Sequence, residues 1–155
     1  MRRLLPMLML AAPALAQYPI GANALRWIGA TSTAGPFCWG FSCTPVQATV
    51  TAGESGTLFV RADWHDAFVI GLSLTATRCL TIPGLGNQLV LDDPFTIWQV
   101  GVCSNASPIL ACPSGYENLA VTIPPFFPTG LQFCMQGATG AGSYSFTQAI
   151  SFRVL

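Results

Sequence analysis

Apolar and polar residues alternate with a period of two along most of the chain after its first sixteen residues. The clearest case is the last segment, where Phe146, Gln148, Ile150, Phe152 and Val154 fall on one face and small or polar residues fall on the other. Such alternation is typical of a β-strand with one face against a core. The pattern therefore predicts a strand over 145–154.

Similar alternation or short apolar runs predict seven further strands, and turns rich in Gly, Pro and Asp separate them. No stretch after the first sixteen residues has the 3.6-residue period of an amphipathic helix. The number and spacing of the strands predict an all-β fold, a single antiparallel β-sandwich of about eight strands. The seven segments are 46–51, 58–64, 70–75, 87–91, 96–102, 118–123 and 131–136.

The first sixteen residues have the organisation of a secretory signal peptide. A positive start at Arg2 and Arg3 is followed by an apolar run over 4–15 and small residues up to Ala16. We expect cleavage after Ala16, with Gln17 as the new N-terminus. The apolar run is too short to span a bilayer, so we expect a protein secreted through the Sec route, with no membrane insertion after cleavage.

These signals predict three parts in the chain. Residues 1–16 are the signal peptide, and 17–36 are an N-terminal extended arm, because Gly and Pro bracket its one apolar run at 25–28. Residues 37–155 form the β-sandwich domain, which is long enough to bury a core of its own.

An even number of cysteines in an exported chain predicts a set of disulfides that staple the domain. Cys38 and Cys43 flank a short loop, and Cys103 and Cys112 flank a second one, so each pair is predicted to close locally. The remaining bridge then joins two strands on the outer side of one sheet, and no thiol stays free. No C-x-x-C pair and only one histidine are present, so no zinc site is expected. The predicted bridges are Cys38–Cys43, Cys103–Cys112 and Cys79–Cys134.

Charge is scarce, since only 8% of the residues are charged, the formal net charge is zero and lysine is absent. Nucleic-acid binding needs clustered cations that displace counterions from phosphates, so that class of partner is excluded. A polybasic membrane patch is excluded for the same reason. A neutral surface fits a compact extracellular domain, or one that packs against other copies of itself.

The one histidine lies in the sequence Asp63-Trp64-His65-Asp66. His65 could serve as the base of a catalytic triad, but no G-x-S-x-G motif accompanies it, so the chain is not predicted to be an enzyme. Trp64 with its three polar neighbours suits a sugar ring, which makes these four residues a weak ligand-binding candidate. The favoured alternative buries Trp64 in the core, because it continues the apolar face of the strand before it.

A second acidic pair, Asp92 and Asp93, precedes Pro94. These carboxylates could contribute to a calcium site, but calcium takes six to eight oxygen ligands and the sequence offers few others nearby. A turn is the favoured interpretation. No metal and no cofactor are therefore predicted.

Three stretches carry a resemblance to a family. They are 119–124, which ends a strand with Ile-Pro, 128–136, which holds Gly-Leu-x-Phe-x-x-Gln, and 147–150 in the last strand. With 56–60 and 70–73 upstream, the chain resembles uncharacterised secreted β-sandwich proteins of planctomycete-like environmental bacteria. Those proteins have Asn where this chain has Gln148, and they differ in the loop at 103–112. The resemblance implies a β-sandwich and export, and it implies no site residues.

The sequence therefore favours a secreted, non-catalytic structural or interaction module that self-associates or binds a surface glycan. A carbohydrate-binding module is the first alternative, and a secreted hydrolase is the second. The sugar-binding alternative requires exposed aromatic side chains that lie in one plane. The assembly hypothesis requires a flat or apolar surface without a cleft.

Overall fold

The structure is a computed structural model, and it describes residues 23–109 and 112–155. The predicted signal peptide, its cleavage point and residues 17–22 of the predicted arm lie outside the described residues. Within those two ranges the fold is all-β, and no helix there is long and apolar enough to cross a membrane.

Among the described residues eight strands have five or more residues. They are β1 (Ala24–Ile28), β3 (Val46–Val50), β4 (Ser55–Ala62), β5 (Ala67–Ser73), β8 (Thr96–Val102), β10 (Gly115–Thr122), β11 (Gln132–Gly140) and β13 (Ile150–Val154). Seven of them overlap predicted strands and β1 was not predicted, while the predicted strand at 87–91 is reduced to two residues. Five strands of two residues complete the set. They are β2 (Thr33–Ala34), β6 (Leu80–Thr81), β7 (Gln88–Leu89), β9 (Asn105–Ala106) and β12 (Ser145–Phe146).

Two sheets contain all of these strands except a small hairpin of β6 and β7. The first sheet has the order β2-β1-β4-β10-β9, and the second has the order β3-β13-β11-β5-β8, with β12 paired to β11. All pairs are antiparallel except β13 with β3, which run parallel. A parallel pair is allowed there because almost the whole domain lies between these two strands in the chain, so no tight hairpin fixes their direction.

The core lies between the two sheets and is built from the inward faces that the alternation predicts. Leu58 and Val60 of β4 belong to the same core cluster as Ile150 and Phe152 of β13, and all four are at most 1% exposed. Trp27 of β1 meets Phe152 edge to face, with ring centroids 5.6 Å apart. Residues from both sheets therefore share one apolar layer, as a sandwich requires.

The predicted arm is wrong for the residues that the structure describes. The segment 24–28 is β1, an inner strand of the first sheet that pairs with both β2 and β4. Trp27 is 1% exposed. The apolar run at 25–28 lies in a strand whose Leu25 and Trp27 side chains are buried, so the sandwich begins at least thirteen residues earlier than predicted, at Ala24 instead of residue 37.

The predicted disulfide pairing is also wrong. The bridges are Cys38–Cys112 and Cys43–Cys79, and Cys103 and Cys134 are buried thiols. Two reasons are visible in the fold. Strand β5 ends at Ser73, so Cys79 is not on a continuation of that strand and instead lies in a loop that reaches Cys43. Cys103 follows β8 directly and joins the core cluster, with 0% exposure, while Cys112 bonds to Cys38.

The predicted strand at 145–154 divides into β12 and β13. Between them, the Thr147 hydroxyl accepts a hydrogen bond from the Gly137 backbone at 2.9 Å. The Gln148 amide turns to the loop that follows Cys38, where it accepts from the Ser42 backbone at 2.6 Å and donates to the Thr44 carbonyl at 2.8 Å. Residues 147–149 are therefore not part of a strand, and the Thr147 and Gln148 side chains bond the neighbouring backbone there instead.

Candidate functional site

Strand β8 forms an edge of the second sheet. One side of it pairs with β5 along Ala67–Leu72, and on its other side no strand among residues 23–109 and 112–155 pairs with it. It spans Thr96–Val102, the segment that the sequence predicted, and at seven residues it is slightly longer than a common strand.

Large apolar side chains on this edge are open to solvent. Val100 is 59% exposed, Ile97 is 52% exposed and Val102 is 45% exposed. The strand contains neither a charged residue nor proline. Natural sheets usually protect an edge with charges, proline or a covering loop, because unpaired backbone groups attract another strand. Residues 96–102 have none of these sequence protections.

The other edge of the same sheet is protected, in contrast. The Ser32 hydroxyl donates to the Thr49 carbonyl of β3 at 2.6 Å and accepts from the Thr49 backbone nitrogen at 3.1 Å. The Ser32 side chain thus occupies the backbone groups of Thr49 on the side of β3 where a new strand would bind. The outermost strands of the first sheet, β2 and β9, have two residues each.

A register shift in the β5–β8 ladder gives β8 its local shape. The shift falls between Ile70 and Gly71 of β5, and it leaves Trp98 without a partner in the ladder. Gly101 lies over the Phe68 ring, and a Cβ there would come within 2.5 Å of that ring. Glycine at this position therefore lets the edge strand approach the core closely.

Each side of β8 borders an apolar hollow. Trp98 lines a cleft of about 310 Å³ between the sheets, together with Leu72 of β5 and Val121 of β10. Ile97 lines a smaller hollow of about 130 Å³ on the outer side of the second sheet, beneath Ile82 and near the β6–β7 hairpin. The adjacent side chains Ile97 and Trp98 therefore contact apolar surface on opposite faces of the second sheet.

The weak ligand-binding candidate at 63–66 lies in the turn that carries the chain from β4 to β5. The favoured prediction of a buried Trp64 is wrong, because that side chain is 54% exposed. Strand β4 ends at Ala62, and His65 adopts a positive φ of 68° that reverses the chain. The alternation therefore stops before Trp64, and its indole stacks on the His65 ring with centroids 4.2 Å apart.

The polar groups of this turn are mostly engaged with the turn itself and its neighbours. The Asp66 carboxylate accepts from the Asp63 backbone at 3.2 Å, and the Asp63 carboxylate accepts from the Ser114 hydroxyl at 3.3 Å. The Trp64 indole donates to the Ser104 carbonyl at 3.4 Å. Burial and the nearby Asp63 charge raise the pKa of Asp66, although the hydrogen bond from Asp63 opposes this. In the described part of the chain, no serine hydroxyl bonds the His65 ring, as a triad would require.

The Asp92 and Asp93 carboxylates are also occupied by their own loop. Asp92 accepts from the Thr77 backbone at 3.0 Å and from the Arg78 backbone at 3.2 Å. Asp93 pairs with the Arg78 guanidinium. Among the described residues no three His, Cys, Asp or Glu side chains are grouped as metal ligands would be. The arrangement fits the favoured interpretation of a turn.

Exposed aromatic side chains are present but lie on separate segments. Trp39 follows Cys38, Trp64 lies in the β4–β5 turn, Trp98 lies on β8 and Tyr144 precedes β12. Trp27 lies in the core, so its ring is not available to a sugar-binding surface. Of these sites, only β8 combines apolar exposure with an unpaired backbone edge. Sequence reasoning predicted the strand, but the alternation along 96–102 does not show that it lies at the edge of a sheet.

No protein-family model matches the chain, and no curated protein matches it. Among solved structures, the chain is similar to the sporulation control protein Spo0M from Bacillus subtilis, with 10% identity, a TM-score of 0.37 and 87% of this chain covered. The chain spans 50% of that protein's length. A similarity at this level carries no argument about function, and the resemblance to planctomycete-like secreted proteins stays a prediction.

Proposed function

We propose that this protein is an exported, non-catalytic interaction module that self-associates by pairing strand β8 of two copies. The observation that carries the proposal is the uncharged edge over 96–102, with Ile97, Val100 and Val102 between 45% and 59% exposed. Edge strands recruit further strands through their unpaired backbone groups, and flanking apolar side chains add burial.

A second copy is the occupant that this edge fits best. Two β8 strands related by a two-fold axis pair antiparallel, so each residue meets its equivalent region in the partner. No charge over 96–102 opposes this approach, and the four arginines and six acidic residues after residue 16 leave a net charge of only about −2, so repulsion between copies is weak. The two disulfides fit an oxidising compartment, which supports the exported location.

Sedimentation velocity of the oxidised protein over a hundredfold range of concentration tests this proposal. We expect a monomer–dimer equilibrium that Val100→Lys shifts toward monomer by at least tenfold in dissociation constant. The matched control is Ile28→Lys, which places the same charge on an apolar β1 side chain that is 45% exposed. Circular dichroism confirms that both variants are folded. A wild-type protein that stays monomeric, or an equal effect of both variants, would contradict the proposal.

A carbohydrate-binding module is the second candidate, and the exposed Trp64 indole favours it. Its ring is accompanied by Asp63, His65 and Asp66, which offer polar groups beside a flat apolar surface. A glycan array of the wild type and of Trp64→Ala tests this alternative, with Trp39→Ala as the control at a similarly exposed tryptophan. Binding that is lost only in Trp64→Ala would favour the sugar-binding function.

A further inference from the structure

Two of the arginines of the described chain project from the outer face of the first sheet. Arg26 lies on β1 and Arg61 on β4, and the two strands pair so that Arg26 is opposite Phe59. Their inward neighbours, such as Val60, belong to the core, so by alternation the arginines point away from it. Both guanidinium groups contact one ring, since they lie 5.3 Å and 5.0 Å from the centroid of Phe37.

Arg61 is a buried cation, with 3% of its surface exposed. Its guanidinium lies over Phe59 as well as Phe37, and one terminal nitrogen donates to the Ser107 hydroxyl at 3.0 Å. Its Nε atom has no hydrogen-bond partner among the described residues, and the same is true of the Nε atom of Arg26. The Nε–H group of each arginine is therefore free to donate a hydrogen bond to a ligand.

Neither arginine has a carboxylate partner. All six acidic side chains of the chain lie in the described ranges, and the ion pairs found there join Arg78 to Asp92 and Asp93. Removing a cation from water without a counterion is costly. The aromatic rings offset part of that cost, since a ring face attracts a guanidinium. Burial lowers the pKa of Arg61, and the neighbouring Tyr116 opposes this only in part.

We propose that Arg26 and Arg61 form a binding site for an oxyanion, the carboxylate or sulfate group of a ligand, with Phe37 as its movable cover. Guanidinium groups bind such groups through paired N–H donors, and two adjacent cations favour a negative charge between them. Phe37 is 48% exposed and directly precedes the Cys38–Cys112 bridge. Its ring can therefore rotate away from the arginines while the disulfide holds the backbone in place. Tyr116, which pairs with Arg61 across the strands, holds the other side of the site by stacking on Phe59 at 5.2 Å.

This proposal is independent of strand β8, which belongs to the other sheet. Equilibrium dialysis of the oxidised protein against radiolabelled sulfate, and separately against radiolabelled acetate, tests it directly, with chloride holding the ionic strength constant. We expect saturable binding of at least one of the two anions at one site per chain. Sulfate binding alone identifies a sulfated ligand, acetate binding alone identifies a carboxylate ligand, and either result supports the proposal.

Substitutions locate the site. Arg26→Gln is expected to weaken binding at least tenfold, and Arg61→Gln is expected to abolish it. Arg153→Gln is the matched control, because Arg153 is an exposed arginine on β13 of the opposite sheet, and it should bind as the wild type does. If Arg61→Gln does not fold, Arg26→Gln and Arg26→Lys decide the question, since lysine keeps the charge and loses the paired donors. No saturable binding, or an equal loss in Arg153→Gln, would overturn the proposal.

Discussion

Thr31 donates two hydrogen bonds to Glu54, from its backbone nitrogen at 3.0 Å and from its hydroxyl at 2.5 Å. Thr51 donates to the same carboxylate from its backbone nitrogen at 2.8 Å and from its hydroxyl at 3.2 Å. Glu54 is 8% exposed. One carboxylate therefore links the β1–β2 turn of the first sheet to the turn between β3 and β4.

This relationship predicts acid sensitivity. Burial alone raises the pKa of Glu54, but the hydrogen bonds from Thr31 and Thr51 outweigh it and lower the pKa from 4.5 to about 2. A lowered pKa in the folded state means that the stabilisation is fully present above pH 4.5 and is lost as the pH falls toward 2. The difference corresponds to roughly 3 kcal/mol.

Urea unfolding at pH 7, 4.5 and 3 measures this effect. The free energy of unfolding of the wild type should fall more steeply with acid than that of Glu54→Gln, which cannot titrate at this position. Asp93→Asn serves as the control, because that carboxylate is exposed and its removal should leave the pH dependence close to that of the wild type. Identical pH profiles for Glu54→Gln and the wild type would contradict the prediction.

The cysteines give a second prediction. Peptide mapping of the oxidised protein should find Cys38 linked to Cys112 and Cys43 linked to Cys79. Iodoacetamide should label no thiol in the native protein at neutral pH, because Cys103 and Cys134 are buried and burial with nearby carboxylates raises the pKa of Cys103 to about 12. After unfolding without reductant, it should label both. A peptide that links Cys103 to Cys134 would contradict this pairing.

Each bridge should contribute stability of similar size. The two bridges span 74 and 36 residues, and the chain-entropy model gives about 4 kcal/mol for loops of such lengths. Double alanine variants of each bridge, compared by urea unfolding, measure the two losses. The double variant of Cys103 and Cys134 to alanine is the comparison for cysteines that close no loop.

A further prediction concerns Gln136, whose amide holds the segment after β7 against the second sheet. Its oxygen accepts from the Val90 backbone at 2.9 Å, and its nitrogen donates to the carbonyls of Gln88 at 2.9 Å and Thr147 at 3.0 Å. Gln136→Met keeps the volume but leaves these buried backbone groups without a partner. We expect a loss of about 3 kcal/mol in the free energy of unfolding. Gln132→Met is the matched control, since Gln132 lies on the same strand, two alternations away, and is exposed. Equal stabilities of the two variants would contradict the assigned role of Gln136.

Alternation predicted seven of the eight longer strands because it records which side chains face a core, whereas the segment 87–91 was wrongly predicted and β1 was missed. The segment 96–102 is a strand with the predicted bounds. Whether that strand lies inside a sheet or at its edge depends on how distant segments are ordered, and no local pattern contains that order. The disulfide prediction was wrong for the same reason, because the pairing depends on distant segments. Cys38 and Cys112 are 74 residues apart in the sequence and meet only in the folded domain. Trp64 was misplaced because one turn, with His65 at positive φ, ends the alternation.

The last prediction separates pairing at β8 from any other mode of association. Backbone amides on the free side of an edge strand exchange with solvent quickly, whereas amides within a ladder are protected. If two copies pair through β8, alternate amides over 96–102 should become protected from hydrogen exchange as the protein concentration rises. Amides over 46–50 should not change, because β13 pairs with one side of β3 and the Ser32 hydroxyl occupies the Thr49 backbone on the other side. Exchange measured by NMR at low and high concentration, with Val100→Lys as a monomeric reference, distinguishes the two edges. Protection that rises over 46–50 and not over 96–102 would place the association at the opposite edge and refute the pairing of β8.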